Sequence, residues 1–224
     1  MKKALALILA LVMVSALAAC AANEPEKEAQ PQETVTEAAE AEVPAAENKE
    51  EPQPESAAEP EPSEETHSEV LVVVFSATGT TKGVAEKIAA IEGAEIYEIK
   101  AAEEYTDADL NWSDHNSRST KEQNDSGARP EIGSEAISLD GYTKIYVGYP
   151  IWWGEEPRIM DTFVESYDFE GKTMIPFCTS SSSGIGRSGK NLAENAGSGS
   201  WLEGKRFSGG VSEDELRAWI ETLK

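Results

Sequence analysis

Leu71-Val72-Val73-Val74-Phe75 runs directly into Ser76-Ala77-Thr78-Gly79-Thr80-Thr81, and Lys82-Gly83-Val84-Ala85-Glu86-Lys87-Ile88-Ala89-Ala90-Ile91 comes next. The first segment is a short apolar run rich in β-branched residues, which reads as a strand buried on both faces. The third places apolar residues at 84, 85, 88 and 91, the spacing of a helix. The hydroxyl-rich stretch therefore joins a strand to a helix N-terminus. Unpaired backbone N–H groups and the positive end of the helix dipole meet at such a point and suit a phosphate. Ser76, Thr78, Thr80 and Thr81 add donors, and Gly79 allows close backbone approach. Lys82 is the one cation in or just after the loop, so an anion here would be held mainly by neutral donors. The competing reading is a plain helix cap, since Ser and Thr cap helices without any ligand.

Composition divides the 224 residues into three parts. Residues 1–19 have a Met-Lys-Lys start, an apolar run and a small-residue end, the pattern of an exported signal peptide. Leu17-Ala18-Ala19-Cys20 resembles the bacterial lipobox, which implies lipid on Cys20 and an extracytoplasmic, membrane-anchored protein. An ordinary secretory signal that happens to contain a Cys is the alternative. Residues 20–68 carry fifteen Glu, two Lys, no Asp and seven of the eleven Pro, without an aromatic residue. Such a segment cannot bury enough apolar surface to fold, so an extended, disordered linker is expected, a tether for the domain at 69–224. Residues 69–224 suffice for one domain with a sizeable core and retain a charge of about −12. That excess, with no basic cluster, excludes nucleic acid as a partner and suits a basic protein. With Cys20 lipidated, Cys178 stands alone and a disulfide within the domain is excluded.

Within the domain, strands are expected at 71–75, 94–99, 144–149, 173–178 and briefly within 201–207, with helices between and after them. Ser212-Glu213-Asp214-Glu215 is a capping box for the last helix. Residues 101–135 are polar and irregular, with one short helix near 117–124; Tyr105, Trp112 and Arg118 there are read as pinning the segment to the sheet. Alternation of strand and helix indicates an α/β domain with a parallel sheet. Ligands bind such sheets at the carboxyl ends of the strands, where the loops after strands one, three and four converge.

The third-strand loop, Tyr149-Pro150-Ile151-Trp152-Trp153-Gly154, places two adjacent Trp where a flat heterocycle could stack; at least one is expected to pack on the domain itself. The fourth-strand loop runs from Cys178 through Thr179-Ser180-Ser181-Ser182-Ser183 to Gly184-Ile185-Gly186-Arg187-Ser188-Gly189. Its G-x-G-x-x-G lies four Ser beyond the strand and lacks the acidic partner of a dinucleotide site, so a hydroxyl-rich cradle for a polar ring edge is the better reading.

These loops together resemble the flavodoxin-like family of FMN-binding proteins, over residues 70–224 and most specifically at 76–81 and 149–154. The resemblance implies a doubly wound five-stranded parallel sheet of order 2-1-3-4-5, bound FMN and redox chemistry. It implies cofactor contacts from Ser76, Ala77, Thr78, Gly79, Thr80 and Thr81, from Pro150, Ile151, Trp152, Trp153 and Gly154, and from Thr179, Ser180, Ser181 and Gly184. Residues 178–189 lack the aromatic that many flavodoxins place over the ring, which leaves one ring face open. Glu155 and Glu156 are candidates for lowering the flavin potential, or else solvated acids at a helix N-terminus. The expected function is electron transfer with a basic redox partner protein. The alternatives are an FMN-dependent quinone-type reductase using a nicotinamide donor, and a binding module without FMN, against which the intact phosphate loop argues.

Overall fold

The computed structural model describes residues 68–224; the expected signal peptide, Cys20 and all but the last residue of the expected linker lie outside the described residues. Strand β1 (Val70–Phe75) leads into helix α1 (Thr80–Glu92), then β2 (Glu95–Ile99), α2 (Arg118–Asn124), β3 (Lys144–Pro150) and α3 (Arg158–Glu165). β4 (Thr173–Thr179), α4 (Ser188–Ala196), β5 (Ser200–Trp201), β6 (Lys205–Phe207) and α5 (Glu213–Glu221) complete the order. The sheet runs β2-β1-β3-β4-β5, with β6 also on β4, and every pairing between strands is parallel.

Alternation along β1 explains why its run is continuously apolar. Leu71, Val73 and Phe75 enter one core with Ile145, Val147 and Phe163, while Val72 and Val74 enter the other with Val84, Ile88 and Phe177. A strand covered by helices on both faces has no side for polar residues. β2 at the edge is exposed at Glu95 and Ile96 and buried only at Ile99.

The expected single strand within 201–207 is broken into two. Met174 pairs with Trp201 and Phe177 with Lys205, so three residues of the outer strand span two of β4. Pro176 is one of those two and has no N–H to donate, and Gly204 lies so close that a Cβ would be 2.8 Å from the Pro176 carbonyl. Ser212 caps α5 by accepting from the Glu215 N–H at 3.2 Å, as the capping box requires.

Candidate functional site

The loops after β1, β3 and β4 border one cleft of about 840 Å³ at the carboxyl ends of the strands. That volume lies within the roughly 300–1,000 Å³ of small-molecule sites.

The β1 loop forms one end. Ser76, Ala77, Thr78, Thr80 and Thr81 line the cleft, and Gly79 sits at the α1 N-cap with φ of 81°. No side chain caps that helix, so the plain-cap reading fails: the hydroxyls stand at the helix start without closing it. Thr78 and Thr80 bond each other at 3.3 Å, whereas the buried Ser76 Oγ has no hydrogen-bond partner among the described residues. A buried hydroxyl without a partner is costly unless a ligand satisfies it. Thr81 Oγ1 meets Thr179 Oγ1 at 2.8 Å and ties this loop to the end of β4. Gly209, after β6, approaches so closely that a Cβ would be 2.6 Å from Thr80 Cγ2. Lys82 turns away and donates to Glu98 Oε2 at 2.8 Å, leaving neutral donors for an anion.

The β3 loop forms the other end; both of its adjacent Trp line the cleft, in different surroundings. Trp152 packs edge-on against Phe75 and Tyr105, with centroids at 5.7 and 5.3 Å. Trp153 is 47% exposed and borders the cleft. Trp152 and Glu155 exchange backbone hydrogen bonds of 2.9 and 3.0 Å around a two-residue turn. Trp153 and Gly154 in that turn have φ of 49° and 88°, positive at both positions as a type I′ turn requires. The left-handed conformation suits Gly154 but costs a bulky aromatic roughly 1–3 kcal/mol, strain of a kind that concentrates at ligand sites. Gln123 of α2 supports the turn, donating to the carbonyls of Trp152 and Glu156 at 3.2 Å each. Pro150 and Ile151 complete this wall, and Ile151 donates to the Thr179 carbonyl at 3.0 Å.

Thr179, Ser180 and Ser181 line the cleft with Ser182 and Ser183. Ser180 Oγ donates to the Ser183 carbonyl, folding the loop on itself. Gly79, Gly154 and Gly184 do not face the cleft; the first two are needed for their positive φ, and Gly184 lies farther along the β4–α4 loop. Cys178 is a core residue: burial pushes its thiol up to about 12, opposed by the charge of Arg206.

Glu155 and Glu156 do not border the cleft, contrary to the expectation that they tune a ring there. Glu155 accepts from Arg158 at 2.9 Å. Glu156 is not a solvated acid either: it is 1% exposed, Oε2 accepts from Asn191 at 3.2 Å, and Oε1 accepts no hydrogen bond among the described residues but lies 3.9 Å from Arg158 Nη1. Desolvation raises its carboxyl to about 7.

Leu110, Trp112 and Ser119 of the 101–135 segment also line the cleft. Tyr105 does pin the segment to the sheet, its ring edge-on to Phe75 with centroids 5.8 Å apart, whereas Arg118, 4.1 Å over the Tyr105 ring, braces Tyr105 from within the segment. Trp112, 79% exposed, pins nothing. Arg206 and Ser208 border the cleft from β6 and the turn after it. Nothing in the local pattern of these residues singles them out, because only long-range packing brings them to the site.

A family model described as Flavodoxin matches residues 69–223. The chain belongs to the flavodoxin family. A candidate flavoprotein from Bacteroides uniformis is 45% identical over 70% of this chain and 99% of its own, with a TM-score of 0.66. Another from Bacteroides eggerthii is 42% identical over 69% and 96%, with a TM-score of 0.65. A flavoprotein from Lactobacillus acidophilus, solved in complex with FMN, shares the fold at 23% identity over 67% of this chain and 97% of its own, with a TM-score of 0.52. A comparison with curated proteins gives no match. In this flavodoxin the cleft meets the needs of a flavin mononucleotide at both ends: an uncapped helix start with an unpartnered hydroxyl for the phosphate, and an exposed aromatic for the ring.

Proposed function

We propose that this protein binds FMN in the cleft and carries electrons at the outer face of a bacterial membrane, held there by lipid on Cys20. The observation that carries the FMN reading is the buried, unpartnered Ser76 hydroxyl beside an α1 N-terminus that no side chain caps. Ser76, Thr78, Thr80 and the first-turn N–H groups would hold the phosphate. Trp153 would meet the ring, and the Thr179–Ser181 hydroxyls its polar edge. When bound, the flavin supplies the redox chemistry, and the protein supplies binding, orientation and charge. Direct electron transfer asks only that an edge of the ring stay accessible, and the cleft is open to solvent along the exposed Ser181–Ser183 wall.

The carrier reading is supported by the charge of about −12 on residues 69–224. An acidic surface attracts a basic partner at long range, and salt screens that attraction. Reduction by a partner protein should slow as ionic strength rises, and turnover of NADH or NADPH with a soluble quinone should be negligible. Many turnovers per flavin with either nicotinamide would replace the carrier by a reductase. The ring-free Ser180–Ser183 wall favours that second reading, because it leaves access for a small acceptor. The anchor rests on the Leu17–Cys20 pattern. Cys20→Ser should release the protein from bacterial membranes without changing its flavin spectrum; retention on membranes would place the anchor elsewhere.

A further inference from the structure

Arg206 borders the cleft of a strongly acidic domain, yet it forms no ion pair with a carboxylate among the described residues. Arg118, Arg129 and Arg158 each rest on one, at 2.7, 2.6 and 2.9 Å. Arg206 instead donates to backbone carbonyls. Its Nε and Nη2 reach the Ser180 carbonyl at 3.2 and 2.6 Å, and Nη2 also reaches that of Ser181 at 2.9 Å. The register Cys178↔Arg206 sets it beside the end of β4, and these bonds fix the guanidinium along the β4 loop, half-buried. Carbonyl bonds orient a guanidinium but leave its charge uncompensated.

Two negative charges could answer it: the phosphate, or the ring after reduction. The phosphate end already has hydroxyls and a helix start, and its neighbouring cation, Lys82, is committed to Glu98. Arg206 is anchored on Ser180 and Ser181, the loop expected at the ring's polar edge. Resting on the FMN reading above, we propose that Arg206 is the charge partner of the reduced ring. The oxidised ring is neutral. Taking two electrons from a donor and one proton from solvent makes it a monoanion, and a fixed cation at the cleft binds that form more strongly. Whatever binds the reduced form better raises the midpoint potential by that differential affinity. This is opposite to the effect expected of Glu155 and Glu156, which the fold keeps off the cleft.

The test is a potentiometric titration of the full chain loaded with FMN and, separately, with riboflavin. Arg206→Met should lower the two-electron midpoint potential by about 30 mV or more, a tenfold loss in preference for the reduced form. Arg206→Lys, which keeps the charge but not the fork, should restore most of it. Riboflavin should show the same shift as FMN, and added salt should shrink it. If Arg206 only holds the β4 loop, both variants weaken oxidised and reduced flavin alike and the potential stays put, which overturns the inference. A shift seen with FMN but not riboflavin assigns Arg206 to the phosphate and overturns it too. Failure of the unsubstituted chain to take up any flavin removes the underlying FMN reading, an outcome visible before any titration.

Discussion

One end of the cleft is a single run of six residues, Ser76–Thr81, whose geometry is set by one strand, one glycine and one helix start. The other end is gathered from four places: the Trp152–Glu155 turn, the loop carrying Leu110 and Trp112, the serines after β4, and Arg206. The first end works through neutral donors set where a helix begins, so its chemistry travels with the local sequence. The second depends on distant elements to hold it. Gln123 supports the turn across 29 residues of chain, and Arg206 grips the β4 loop across 26. Substitutions at the first end should act on phosphate recognition alone, whereas those at the second should mix stability, ring binding and redox behaviour.

The largest effect should come from the scaffold that both ends share. A Cβ on Gly148 would lie 2.2 Å from the Phe177 ring, in a buried strand with no room to yield. Gly148→Ala should cost about 3 kcal/mol or more by urea unfolding, through overpacking. A near-neutral result would mean the Phe177 ring can move aside and the sheet is looser than described.

Next is Glu156, beneath the second end. Its carboxyl, raised mainly by desolvation to about 7 from 4.5, titrates higher in the folded than in the unfolded chain. Folding therefore favours the protonated form. That contribution is fully present below about 4.5 and is lost as pH rises through about 7. Glu156→Gln should stabilise the domain at pH 8 by on the order of 2–3 kcal/mol relative to the parent and have far less effect at pH 4.5. Stability curves that run parallel from pH 4.5 to 8 would contradict the buried, proton-linked role.

Thr78→Val should separate the two ends most cleanly. Losing a hydroxyl bond to a charged group costs about 1.5–3 kcal/mol, one to two orders of magnitude in the dissociation constant for FMN. Riboflavin, which lacks the phosphate, should bind both proteins alike. An equal loss for both flavins would show that the hydroxyl shapes the loop and does not meet the phosphate.

The smallest effect should come from Trp153→Asn. Asn-Gly is the preferred pair for a type I′ turn, so relief of the left-handed Trp should raise stability without flavin by about 1 kcal/mol. Affinity for FMN and riboflavin should fall together, because the ring loses its aromatic wall. Stability and affinity moving in the same direction would mean the strain at Trp153 is unrelated to binding.

The same contrast governs how far the sequence could be read. The apolar run at 71–75, the hydroxyl loop and the capping box at 212–215 announce themselves within a few residues, and the strand order follows from alternation and the family resemblance. The short α2 was visible in outline, but the role of its segment was not: Trp112 and Leu110 sit in a polar stretch without periodicity, and only the packing of Tyr105 and Gln123 carries that stretch to the cleft. Glu155-Glu156-Pro157 reads locally as acids at a helix start, yet tertiary contacts bury Glu156 and pair Glu155 with Arg158. Arg206 lies in a three-residue strand whose break from β5 depends on Pro176, a consequence of pairing that no single segment displays.

The central claim is that the cleft is a flavin site whose phosphate end is read by Ser76–Thr81. Its most direct test is equilibrium titration of the flavin-free domain, residues 69–224, with FMN and with riboflavin. The expected result is a yellow protein holding one FMN per chain after desalting, with riboflavin bound markedly more weakly. A domain that stays colourless after incubation with FMN, or that binds both flavins equally, would contradict it.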